Sequence, residues 1–215
     1  MALHVGLSAH LGSALAKNGF TFVGFDQRGH GKSEGEKGYL DSEKDIMNNC
    51  RNFISEVMKI YPGVPIFLLG QGMGGLITLT LVKENKFKIA GVILFSSTLK
   101  KPGNKLASSL SGFALKILPN RKGLFKVNFA NHTKNLKGTA FMEKDPLIYQ
   151  NEVFAGTLTQ LSEILDKNDE DDWKKMKTPP IAIVQGQLDK IVDPINAINF
   201  FERIKTEDKE LWWYP

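Results

Sequence analysis

Three short runs of this chain, PIFLL (65–69), IAGVILFSS (89–97) and IAIVQG (181–186), are apolar at almost every position. A strand with one face in water alternates apolar and polar residues. An uninterrupted apolar run instead fits a strand covered on both faces. Helical patterns stand between the runs. GGLITLTLVKEN (74–85) is apolar nearly all round, which predicts a buried helix, and PINAINFFERI (194–204) predicts another. Apolar strands alternating with helices predict a mostly parallel sheet flanked by helices, an α/β fold.

The remaining segments extend that pattern and then break it. FTFVGF (20–25) reads as a strand, followed by the Gly-rich polar loop DQRGHGKSEGEKGYL. Asp41-Ser42-Glu43-Lys44 resembles a helix start, and apolar residues at 46, 50, 53, 54, 57 and 61 continue it until Pro62-Gly63. ELWWY (210–214) predicts a last strand. Between residues 98 and 170 the alternation fails: LASSLSGFALKILP is an amphipathic helix candidate, and DKNDEDDWKKMK (166–177) reads as a solvated helix end or loop. The expected division is a core half over 1–97, an insertion over 98–170 and a second core half over 171–215, one domain overall.

Composition narrows the function classes. The net charge of +5 comes from scattered lysines without a basic block, which argues against nucleic-acid binding. It is compatible with weak attraction to an anionic membrane surface. A single cysteine, Cys50, forbids an intramolecular disulfide, and its apolar neighbours predict a core position. These features fit a cytoplasmic protein, with membrane association through a basic face left open. No His/Cys/Asp group has metal-ligand spacing, and neither a metal nor an organic cofactor is expected.

The stretch Gly70-Gln71-Gly72-Met73-Gly74-Gly75 admits two readings. It satisfies G-x-G-x-x-G between a strand and a helix, the pattern of a dinucleotide loop. That reading needs an acidic residue at the tip of the next strand, where the chain has Phe95-Ser96-Ser97-Thr98 instead. The other reading is a G-x-S-x-G nucleophile elbow with Gly72 where serine should stand. On this reading Gly70 and Gly74 are expected to be glycines because a Cβ would strike neighbouring backbone.

Several ordered matches favour the elbow. FDQRGHGKSEG, YPGVPIFLLGQGMGG, Asp145-Pro146-Leu147 and IVQGQLDKIVDP together resemble the monoacylglycerol lipases and lysophospholipases (the S33 serine aminopeptidase type) of the α/β-hydrolase fold. The resemblance implies hydrolysis of acylglycerol carboxylic esters, with an acyl lipid or monoacylglycerol-like molecule as ligand. It also implies a lid over 98–170 able to touch a membrane, whose apolar face would include Leu106, Leu110, Phe113, Leu115, Ile117 and Leu118. It places Gly72 at the nucleophile position, Met73 as the backbone N–H donor to an oxyanion, and Asp189 as the triad acid. Asp193, before Pro194, reads as a helix cap.

Three departures from the family pattern follow. Gly72 has no side chain, and Gln71 replaces the usual histidine. His4, His10, His30 and His132 all precede Asp189, whereas the family's catalytic histidine follows the acid. His4 and His10 are expected at the surface, His30 in a structural loop role, and His132 as an exposed lid residue. The early strands with an H-G oxyanion loop and the last helix are expected to be missing. The leading expectation is therefore a catalytically inactive relative that binds an acyl lipid or a protein partner. A fragment of an active serine esterase, and a different activity in the same pocket, are the alternatives.

Overall fold

The computed structural model describes residues 3–40, 42–99, 135–168 and 173–215. The elements follow the order α1 (Ala9–Lys17), α2 (Glu43–Ile60), β1 (Phe67–Gln71), α3 (Met73–Glu84), β2 (Gly91–Phe95), α4 (Leu136–Lys144), α5 (Ala155–Asp166), β3 (Ile181–Gly186), α6 (Ile195–Arg203) and β4 (Lys209–Tyr214), after a short 3-10 turn at Val5–Ser8. Two compact units result: Met1–Asn49 with Leu110–Gln160, and Cys50–Ser109 with Leu161–Pro215.

The second unit holds the sheet. Its four strands run in the order β1-β2-β3-β4, and every neighbouring pair is parallel. Right-handed crossovers made in one direction put helices such as α3 and α6 on one face. Accordingly Leu79 and Val82 of α3 and Ala197 and Phe200 of α6 share a core with Val92, Leu94, Ile181 and Ile183. α3 is buried from Gly75 to Val82, as its continuous apolar sequence requires, and it ends at Asn85 in the left-handed conformation of a helix C-cap. Arg51 of α2 forks onto both carboxylate oxygens of Glu84, and this pairing holds the Glu84 carboxyl below its usual range.

α2 starts as the sequence predicts. Ser42 Oγ accepts from the Asp45 amide at 3.2 Å and donates to Asp45 Oδ2 at 2.5 Å, a capping arrangement with acidic residues in the first turn.

Three expectations are corrected. FTFVGF is not among the four strands: a strand exists only as part of a ladder, and β propensity names no partner. β1 begins two residues later than PIFLL, and Phe67 and Leu69, alternate residues that share one face of the strand, are exposed there, so the cover expected on both faces is one-sided. DKNDEDDWKKMK is not simply a solvated segment. Trp173 is 1% exposed and meets Phe200 edge-on at 5.1 Å, a pair large enough to recruit its part of the charged run into the core. The LASSLSGFALKILP helix and the apolar residues assigned to a lid face lie outside the described residues.

The first unit is built around the polar loop. Asp26 accepts from the Val5 amide at 2.8 Å and the Lys32 amide at 2.9 Å, which ties the first half of the loop to the N-terminal turn. Tyr39 meets Phe154 edge-on, and Phe154 stacks with Tyr149. Thr157 Oγ1 accepts from the Leu40 amide and donates to the Gly38 carbonyl.

Candidate functional site

All four strands are parallel, so the turns that leave their C-terminal ends lie along one edge of the sheet, where α/β folds place their ligands. Two of those turns carry the residues singled out from sequence.

The first is the turn from β1 to α3. It consists of one residue, Gly72, at φ 54 and ψ −119, backbone that a residue with a side chain adopts only under strain. The Gly72 N–H donates to the Phe95 carbonyl at 3.1 Å and the Ser96 carbonyl at 3.2 Å. Its carbonyl accepts from Thr98 N–H at 3.0 Å. A Cβ built on Gly72 meets nothing within 4 Å, so the position has room for a side chain and lacks one. Met73 opens α3, and helix geometry gives its N–H no acceptor inside the helix.

The glycines around Gly72 are not equivalent. A Cβ on Gly70 would stand 2.5 Å from the Gly74 carbonyl oxygen and 2.6 Å from the Gly75 backbone. Gly74, expected to be constrained in the same way, has open space around its Cβ position. The constrained partner is Gly75, whose Cβ would overlap Ser97 Oγ. Ser97 is buried, with its Oγ 3.5 Å from the Gly70 carbonyl and 3.4 Å from the Phe95 carbonyl.

The second turn leads from β3 to α6. Asp189 Oδ1 accepts from the amides of Ile191 at 2.8 Å and Val192 at 3.0 Å, and Gln185 Nε2 approaches Oδ2 at 3.4 Å. Asp193 Oδ1 accepts from the Ile195 amide at 3.0 Å, the capping contact its place before Pro194 predicts. Both carboxylates thus organise their own loop.

The histidines of the first unit are structural in their contacts. His30 is 6% exposed and donates from Nδ1 to the Arg28 carbonyl, and burial pushes its pKa below the usual 6.5. His10 is exposed, with Nδ1 on the Leu7 carbonyl. His4 is not a surface residue: its ring is largely covered, and Nε2 donates to Asp145 Oδ2 at 2.9 Å. That bond, together with the Leu147 amide on Oδ1, holds the Asp145 carboxyl below its ordinary range. A contact between residues 141 apart leaves no trace in local pattern. His132 lies outside the described residues.

Cys50 is buried. Among the described residues, no three His, Cys, Asp or Glu side chains gather as a metal site, and no helix is long and apolar enough to cross a membrane.

Sequence reasoning missed Ser96, Ser97 and Gly75. Nothing in FSST or MGG distinguishes a residue that braces a turn from its neighbour.

Comparison with known proteins accords with this geometry. Rat monoglyceride lipase is 29% identical over 98% of this chain and 70% of its own length. Human monoglyceride lipase is 29% identical over 88% of this chain and 62% of its own. The chain thus spans about two thirds of these relatives' length. A soluble variant of the Saccharomyces cerevisiae monoglyceride lipase, solved in complex with a substrate analog, superposes with a TM-score of 0.85 over all of this chain and 74% of that one, at 24% identity. The sequence profile of the family described as serine aminopeptidase, S33, matches residues 1–215. This chain belongs to that family, and its parallel sheet flanked by helices is the α/β-hydrolase fold.

Proposed function

We propose that the chain is a catalytically silent member of its family that binds an acylglycerol-like small molecule at the C-terminal edge of the sheet. The observation that carries this reading is Gly72: the strained residue of the turn, with space around it and no side chain to attack a carbonyl. Family membership supports the elbow over a dinucleotide loop; on this reading Gly72 holds the nucleophile position, Met73 N–H the oxyanion donor's place and Asp189 the triad acid's. Acyl transfer requires a side-chain oxygen or sulfur that forms the covalent intermediate. Removing such a nucleophile from a serine protease lowers turnover by about a millionfold. The Met73 N–H, in contrast, belongs to the backbone and survives the loss, so a bound ester carbonyl still has its hydrogen-bond donor.

The exposed Phe141 on α4 is, on this reading, a point of peripheral membrane contact for a protein that otherwise resides in the cytoplasm.

Two measurements test this reading. A fluorophosphonate probe of serine hydrolases is expected to leave the purified chain unlabelled, and labelling at any serine refutes silence. Addition of a monoacylglycerol is expected to raise the melting midpoint progressively with its concentration, by about 2.7 kcal/mol of stability at a hundred times Kd. A midpoint unmoved by monoacylglycerols of short, medium and long chain refutes binding.

A further inference from the structure

Gly72 combines two properties that conflict. Glycine is the least restrained residue a turn can hold, yet this turn has a defined geometry with both backbone groups engaged. The restraint must come from elsewhere, and its source is the end of β2. Among the described residues only two without a glycine's freedom have positive φ, Asn85 and Ser96. Asn85 is accounted for by its place as the left-handed cap of α3. Ser96, at φ 38, has no such local reason.

We propose that Ser96 is the positioning residue of the elbow: its left-handed backbone folds residues 95–98 around Gly72 and sets the turn in place of a side chain at 72. The reversal at Ser96 presents the Phe95 and Ser96 carbonyls to the Gly72 N–H and brings the Thr98 N–H onto the Gly72 carbonyl. Ser96 is itself pinned to the sheet, since its N–H donates to the Val184 carbonyl of β3 at 2.9 Å. Ser97 completes the brace, its buried side chain filling the space that Gly75 leaves against the start of α3. Strained backbone persists where its surroundings over-determine it, and these contacts come from β1, β3 and α3 together. The consequence is that the Met73 N–H keeps its place at the start of α3 although residue 72 is glycine. The brace stands on its own geometry; only its purpose, holding a ligand-facing turn, rests on the function proposed above.

The test places a reporter at residue 72. Gly72→Cys, made with Cys50→Ala to remove the native thiol, puts a sulfur at the N-cap of α3, where a thiolate is stabilised by the helix N-terminus. The thiol pKa, read from alkylation rate against pH, is expected about one unit below the ordinary 8.5. Adding Ser96→Val, a β-branched residue excluded from positive φ, is expected to return the thiol to about 8.5 while the protein still melts cooperatively. Adding Ser96→Gly, which keeps the left-handed backbone, is expected to retain the depressed value. A folded Ser96→Val protein with an unchanged thiol overturns the proposal, as does an ordinary thiol before Ser96 is touched. If Ser96→Val does not fold, amide exchange in the unsubstituted protein decides: a Gly72 N–H as protected as the β1–β2 ladder supports the brace, and one exchanging like an open loop overturns it. A chain that binds no monoacylglycerol but shows the depressed, Ser96-dependent thiol refutes the function and leaves the brace standing.

Discussion

The turns after β1 and β3 leave the same edge of the same sheet and have been treated in opposite ways. After β1, the turn is firmly held and carries nothing: Gly72 is strained, bracketed and without a side chain. After β3, a carboxylate is present and engaged: Asp189 accepts from the amides of Ile191 and Val192, with Gln185 near its second oxygen. The difference shows that the backbone geometry of a turn and the side chain it carries are separable. Backbone hydrogen bonds maintain the first without any demand for the second.

If shape at the β1 turn rests on close backbone approach, Gly70 is where it breaks. A methyl group there strikes the Gly74 carbonyl and the Gly75 backbone, and neither can give way without shifting α3 against β1. Gly70→Ala is expected to cost about 3 kcal/mol, at the top of the range for overpacking, read as a lower denaturant midpoint at unchanged m. A cost below about 1 kcal/mol would mean that the turn is softer than its contacts indicate.

How much of this was legible follows from which forces act locally. The apolar runs at 89–97 and 181–186 contain β2 and β3, whose residues are all buried or half-buried, so cover on both faces is written into the sequence itself. The turn at Gly72 was legible because positive φ selects glycine. FTFVGF failed because ladder formation depends on a partner elsewhere, and Trp173 was hidden by the charges beside it. His4 shows the same limit: its burial comes from Asp145, far along the chain.

At the β3 turn the comparison predicts that charge is dispensable and the acceptor oxygen is not. Asp189→Ala removes the acceptor for two loop amides and is expected to cost about 1–2 kcal/mol, the usual effect of leaving such donors unpaired. Asp189→Asn retains a carbonyl oxygen at the same place and is expected to lie within about 0.5 kcal/mol of the parent. If the amide instead cost as much as the alanine, the negative charge itself would be in use, with the second oxygen's contact to Gln185 Nε2 of β3 the place to look for it.

The smallest effect has the opposite sign. Gly74 stands in the same glycine-rich run as Gly70 and Gly75, yet its Cβ position is open and its backbone has no positive φ. It lies in the first turn of α3, where glycine only adds freedom to the unfolded chain. Gly74→Ala is therefore expected to stabilise the protein by about 0.5 kcal/mol, against the loss at Gly70 four residues earlier. Measured as a pair, the two alanines separate what the elbow's geometry demands from what its sequence pattern merely contains. A destabilising Gly74→Ala would show that the mouth of the turn is narrower than the backbone makes it, and that something other than residues 95–98 closes over Gly72.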